Sequence, residues 1–258
     1  MTETSEYKTL RKRLARRFND GARMITQWTP RVCLHMEPEA VHDLRVLARR
    51  MRALIWVTRR LGPLSCCKRV RRMLSNWGQA LGERRSLDVV FEDAAELNIN
   101  ATQLKKRYSE AAGIVRRTIT EEGAAELSDL LRKTGKKLPA WSERRLHQGL
   151  MLCAQELHKA LRDAKQGKEE QHILRIEAKK ARYILEALGR KCDPLKQLQG
   201  RLGRSHDMEV LQEMLGPHPV AANIEERERA LAVGMMREAV HAAEEQLHAA
   251  AAPLRGTH

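Results

Sequence analysis

The chain has 258 residues, enough to bury a core as one large domain or two small ones, and its 48 Lys and Arg against 33 Asp and Glu give a formal charge of +15 at pH 7, which predicts acidic partners. Aromatic residues make up only 3%, with 2 Phe, 3 Tyr and 4 Trp, too few stacking platforms for a binder that reads splayed bases. Cys33, Cys66, Cys67, Cys153 and Cys192 form no C-x-x-C pair, and no apolar leader or apolar stretch of about 18 residues occurs; the sequence therefore predicts a reducing cytoplasm, no metal, no cofactor and no membrane partner.

Apolar residues recur at helical spacing in segments rich in Ala, Leu, Arg, Glu and Lys, and period-two β-branched runs are absent, so the predicted class is all-α. In chain order the pattern predicts helices over 5–27, 38–61, 66–82, 86–97 and 101–133, then 141–166, 169–190, 193–202, 206–215 and 221–251. Breaks are expected at Thr29-Pro30, Gly62-Pro63, Gly135 to Pro139, Gly167, Asp193-Pro194 and Gly216-Pro217. The run Lys133-Thr134-Gly135-Lys136-Lys137-Leu138-Pro139 lies near the middle and predicts a connection between two halves, 1–134 and 139–258, of a single domain over 1–258.

The helix over 38–61 carries the sharpest functional signal. At about 100° per residue, His42, Arg45, Arg49, Arg52 and Arg59 share an arc of roughly 100°, while Leu44, Leu47, Met51, Leu54 and Ile55 point toward a core. Basic stripes are usually solvated faces paired with carboxylates one turn away. That explanation fails here, because Asp43 is the single acid between Val41 and Leu61, against Arg45, Arg49, Arg50, Arg52, Arg59 and Arg60. With a rise of about 1.5 Å per residue, His42 to Arg52 extends over roughly 15 Å, which suits several consecutive phosphates of a linear polyanion better than one small anion. Arginine forks grip phosphate oxygens in pairs, lysine adds a mobile point charge, and a neutral histidine still donates one ring N–H.

The helix over 169–190 repeats this design. Gln171-His172-Ile173-Leu174-Arg175-Ile176 with Lys179, Lys180 and Arg182 matches Val41-His42-Asp43-Leu44-Arg45-Val46 with Arg49, Arg50 and Arg52 at one constant offset, and Leu81-Gly82 recurs as Leu202-Gly203 at a slightly shorter one. A shared H-x-x-R-x-x-x-[RK]-[RK]-x-R pattern of this length marks an internal repeat and predicts two similar helical bundles related by a pseudo-twofold axis. His172, Arg175, Lys179 and Arg182 form the polar arc; Leu174, Ala178, Ala181, Ile184, Leu185 and Leu188 form the apolar one. This second stripe is less clean, since Glu177 and Glu186 can pair locally with Lys179, Lys180, Arg182 or Arg190.

Two other functions compete. The charge would permit nonspecific nucleic-acid binding, but no helix-turn-helix, RRM or KH signature is present and few aromatics flank the stripes. A phosphoanhydride-processing enzyme would need clustered acids for metal ions, and Asp43 and Asp88 form no such cluster; no P-loop lysine motif occurs either, so no catalytic residue is expected.

The run VHDLRVLARRMR, with RIEAKKARYILEAL and LGRSHDMEV in the second half, resembles the CHAD family, the conserved histidine α-helical domain. The resemblance implies two four-helix bundles packed around a central basic groove or pore, no catalytic activity, and binding of inorganic polyphosphate by two symmetry-related basic helices. The ligand contacts it implies are His42, Arg45, Arg49, Arg50 and Arg52, with His172, Arg175, Lys179, Lys180 and Arg182. Polyphosphate-metabolising enzymes are candidate protein partners and polyphosphate granules a candidate location. Ser86 departs from the family pattern, which has Asp after the equivalent of Arg85; a structural pair with Arg85 is expected to be lost there and partly replaced by Asp88. Many relatives add a triphosphate tunnel hydrolase domain with an E-x-E-x-K strand. No such strand fits this sequence, and Glu226-Arg227-Glu228-Arg229 sits in a helical context without the lysine, so a standalone binding module is expected.

Overall fold

The computed structural model describes residues 5–59, 65–137 and 143–252. The Arg60 and Gly62-Pro63 positions and the Leu138-Pro139 end of the central connection lie outside the described residues, as do the side chains of Arg59 and Cys66. Among the described residues all regular structure is helical, as the periodicity predicts. The α-helices are α1 (Ser5–Pro30), α2 (Pro38–Arg59), α3 (Ser65–Glu96), α4 (Lys105–Thr118), α5 (Glu121–Lys137), α6 (Glu143–Asp163), α7 (Lys168–Ala187), α8 (Asp193–Leu215) and α9 (Pro219–Ala251). No described helix is long and apolar enough to cross a membrane.

Several helix boundaries differ from those read in the sequence, among them the expected break at Thr29-Pro30, where α1 includes Pro30 and a π-helical turn continues it over Arg31–His35. The expected gaps after Leu81-Gly82 and after Leu202-Gly203 do not exist: α3 and α8 run straight through. A Cβ at either Gly82 or Gly203 would meet nothing within 4 Å, so each glycine sits on an open part of its helix, where it weakens the helix by about 1 kcal/mol without ending it. The predicted helix 101–133 instead divides at Ile119, whose φ of −112° and ψ of 106° are extended. The Thr120 hydroxyl accepts the Gly123 backbone N–H at 3.1 Å, and Glu121 and Glu122 fill the first turn of α5. An N-cap threonine followed by acids is a strong start signal.

Gly135, read as part of a break, lies inside α5. A Cβ there would stand 3.2 Å from both the Ala15 carbonyl and the Phe18 Cβ, so the glycine allows α5 to lie tightly on α1. The same logic holds at Gly149 of α6, where a Cβ would come within 3.1 Å of Val57 on α2.

The apolar arcs predicted for the two basic helices are buried: Leu44, Leu47, Met51, Leu54 and Ile55 on α2, and Leu174, Ala178, Ala181, Ile184 and Leu185 on α7, all belong to one hydrophobic core. Each fully buried Leu or Ile stabilises the fold by roughly 1.5–3 kcal/mol, which fixes the rotation of both helices and so aims their basic arcs. Helix α2 packs on α1 and α3, α7 packs on α6 and α8, and the two basic helices also touch each other, as α3 and α8 do. A second, smaller core beneath α3, α4 and α8 is built on Leu87, Val90, Leu104, Met208 and Leu211.

Candidate functional site: a cationic cavity between the basic helices

A cavity of about 1250 Å³ opens where α2, α3 and α7 meet. Helix α2 lines it with Arg49, Arg52 and Trp56, and α7 with His172, Arg175, Lys179, Lys180 and Tyr183. Helix α3 adds Lys68, Arg69, Arg71 and Arg72. The acids on this wall among the described residues are Glu156 and Glu177, far short of neutralising the cations. A volume of this size exceeds one phosphate many times over and suits a segment of polymer.

The α3 contribution is absent from the sequence reading. Its signal was available: no acid occurs between Arg60 and Glu83, and Lys68, Arg71 and Arg72 recur at three- and four-residue spacing on one face. One of the four, Arg69, is engaged by Glu126 of α5.

On this wall Arg49, Arg175 and Lys179 crowd together, with Arg45 and the Asp207 carboxylate of α8 close by. Burial first, and then Arg49 and Arg175, push Arg45 down to about 9, so it remains a cation at neutral pH. Burial also lowers Arg49 and Arg175 from their ordinary range. Lys179 is pushed down to about 6, by burial and then by Arg175, Arg49 and Arg45, with Asp207 opposing. The Asp207 carboxyl is itself raised by burial, against the pull of Arg175. The buried Nε atoms of Arg45 and Arg175 have no hydrogen-bond partner. Half-buried, mutually repelling cations with orphaned donors are unfavourable unless an anion completes them.

The histidines flank this cluster. His172 stacks at a tilt with His206 of α8, ring centroids 5.3 Å apart. Burial, with Arg175, His172 and Lys179, drives His206 down to about 3, so it stays neutral. Burial and then Arg175 lower His172; burial and then Arg85 lower His42. His206 and Asp207 belong to the LGRSHDMEV run, whose family resemblance implies no ligand contact for either.

The remaining expected contacts are differently placed. Lys180 donates to Glu156 at 2.5 Å, pairs also with Glu177, and lies 4.2 Å from the Trp56 ring; its charge is largely committed. Arg182 lies 3.6 Å from Glu186 and Arg50 lies 3.7 Å from the same carboxylate. Both guanidinium groups also approach the Tyr183 ring, at 5.0 Å and 5.8 Å. Arg50 lines a separate cleft of about 350 Å³ with Arg17 and Glu186.

The substitution at Ser86 has a different consequence from the one expected. Asp88 does not cover Arg85: it is buried in a pair with Arg84 and accepts the Tyr108 hydroxyl at 3.1 Å. Arg85 turns to Glu92, at 3.0 Å. The offset that aligns Leu81-Gly82 with Leu202-Gly203 sets Arg85 against His206 and Ser86 against Asp207, so the α3 side of the cluster lacks the carboxylate that α8 supplies.

A protein-family model described as the CHAD domain matches residues 16–216. The crystal structure of the CHAD domain from the plant Ricinus communis is similar to this fold, with a TM-score of 0.59 and 23% sequence identity over 93% of this chain and 92% of that one. None of the curated proteins compared with the chain matches it.

Proposed function

The chain belongs to the CHAD domain family, and we propose that it binds inorganic polyphosphate, without catalysis of its own, in the cavity between α2, α3 and α7. The observation that carries this reading is the excess of cations on the cavity wall, which Arg49 and Arg52 of α2 share with Arg175 of α7 and a bank of cations on α3. Polyphosphate is the ligand that the family resemblance implies, and its chemistry suits the wall: a flexible chain of charge with no base to stack, meeting guanidinium forks and few aromatic faces. In this reading α2 and α7 are the two related halves of one site, and each charge-assisted contact contributes about 1.5–3 kcal/mol. Association with polyphosphate granules is the location the reading implies.

Nonspecific nucleic-acid binding would share the charge and the salt dependence, so salt does not separate the two. Competition does. Labelled long-chain polyphosphate bound to the protein should be displaced by unlabelled polyphosphate at far lower phosphate concentration than by tRNA or duplex DNA. Equal displacement by nucleic acid, per phosphate, would replace this reading with a general polyanion sponge.

A further inference from the structure

Lys179 is chemically unlike its neighbours on the cavity wall. It makes no ion pair with a carboxylate among the described residues, whereas Lys180 is paired with Glu156 and Glu177. Facing Lys179 are Arg45 and Arg49 from α2, Asp207 and His206 from α8, and Arg175 and His172 on its own helix, while Glu156 of α6 faces Lys180 instead. Burial and the three arginines hold it near 6 against the pull of Asp207, so above about pH 7 its nitrogen carries a lone pair where an ordinary lysine, with a pKa of about 10.4, is almost wholly protonated. A desolvated amine among fixed cations is the arrangement that activates a lysine as a nucleophile. Here the same cations, Arg49 and Arg175, open onto the cavity that Lys179 lines.

We propose that Lys179 is an acyl-acceptor site for small acyl phosphates, whose phosphate is held by Arg49 and Arg175 while the carbonyl carbon meets the lysine amine. The Nζ lone pair forms the new C–N bond, the bond from the carbonyl carbon to the phosphate oxygen breaks, and phosphate leaves with the proton lost from nitrogen. The products are an amide at Lys179 and inorganic phosphate, with no other reactant needed. The inference rests on the cavity as an anion site and adds a regulation to it: an acylated Lys179 can no longer take up a proton when a polyanion arrives, so the modified protein binds polyphosphate more weakly.

The test is incubation of the whole protein with acetyl phosphate at about pH 8, followed by peptide mass mapping, with binding of pyrophosphate and of polyphosphate measured in parallel. Acetylation should appear at Lys179 at least about tenfold faster than at Lys105 and Lys106, which are exposed on α4. Excess pyrophosphate should slow labelling at Lys179 but not at Lys105. Arg175→Gln should do the same, and Lys179→Arg should abolish the label. An acetyl N-hydroxysuccinimide ester, which has no phosphate to anchor, should show a smaller preference for Lys179 over the exposed lysines than acetyl phosphate does. Equal rates at Lys179 and Lys105, or labelling of Lys179 that pyrophosphate leaves untouched, overturns the inference; if polyphosphate still binds in that case, the anion-site reading survives it.

Discussion

On α2, Arg45, Arg49 and Arg52 make no ion pair with a carboxylate among the described residues, whereas on α7 Lys180 is gripped by Glu156 and Glu177, and Arg182 lies by Glu186. The two helices carry the same spacing of histidine and cations, yet α2 leaves most of its charge available and α7 commits part of it to the fold. Their flanks differ in the same sense: α8 places Asp207 beside the cluster, and α3 offers Ser86 at the matching position. A repeat in sequence therefore need not be a repeat in function. What decides is whether a carboxylate from a neighbouring helix has already taken the cation.

The sharpest way to break this comparison is to remove the uncommitted charges. Arg49→Ala with Arg175→Ala should weaken polyphosphate binding by roughly 100-fold or more, because two charge-assisted contacts of about 1.5–3 kcal/mol each are lost, while helical circular dichroism is retained. Lys180→Ala should behave oppositely. It takes an ion-pair partner from Glu156 and from Glu177, both half-buried, so it should lower the melting temperature by a few degrees and change affinity much less than the arginine pair does. If Lys180→Ala matches the double variant in binding, the division into committed and available cations fails.

A second effect comes from Lys179. A bound polyanion favours the charged form and so raises its pKa from about 6. Between that value and the bound-state value the complex holds more protons than the free protein, so affinity rises as pH falls, by up to about tenfold per unit for one proton, and levels off below about pH 6. His42 and His172, both lowered from 6.5, can add to this only at the acid end. Calorimetry in buffers of different ionisation heat should therefore show proton uptake at pH 8 that disappears in Lys179→Met and persists in the His42→Gln, His172→Gln double variant. Uptake that follows the histidines instead would assign the linkage to them.

The smallest effect concerns the flank. Ser86→Asp would give α3 a carboxylate where α8 already has one, and should weaken binding by about fivefold, near 1 kcal/mol for an added charge in a partly solvated site. Unchanged or tighter binding in Ser86→Asp, by the same calorimetry, would mean the asymmetry of the flanks has no electrostatic consequence.

How much of this was legible beforehand follows from the period of the residues. The basic and apolar arcs of α2 and α7 were plain in the sequence, because a 3.6-residue period sorts Arg45, Arg49 and Leu44, Met51 onto different faces without any knowledge of neighbours. The cap at Thr120 was also written there, as Thr-Glu-Glu, but lay inside a run whose periodicity outweighed it. Lys68, Arg71 and Arg72 stand in an acid-free stretch of their own, outside the repeated motif, so the repeat does not point to them. His206 and Asp207 stand within the LGRSHDMEV run, but their place beside the cluster depends on a continuous α8: Gly203 suggests an ending that burial of Leu202 and Met208 on the same helix overrides. Which cations were already paired could not be read at all, since Glu156 meets Lys180 only through the packing of α6 on α7.

If one large cavity, walled by both basic helices, holds a polymer, calorimetric titration with polyphosphates of defined length will read it as a dependence on chain length. Affinity per molecule should climb from triphosphate through chains of increasing length, because contacts to the second wall become intramolecular once the first is made, and then plateau when the chain spans both walls. Triphosphate binding as tightly as a chain many units long would contradict the account.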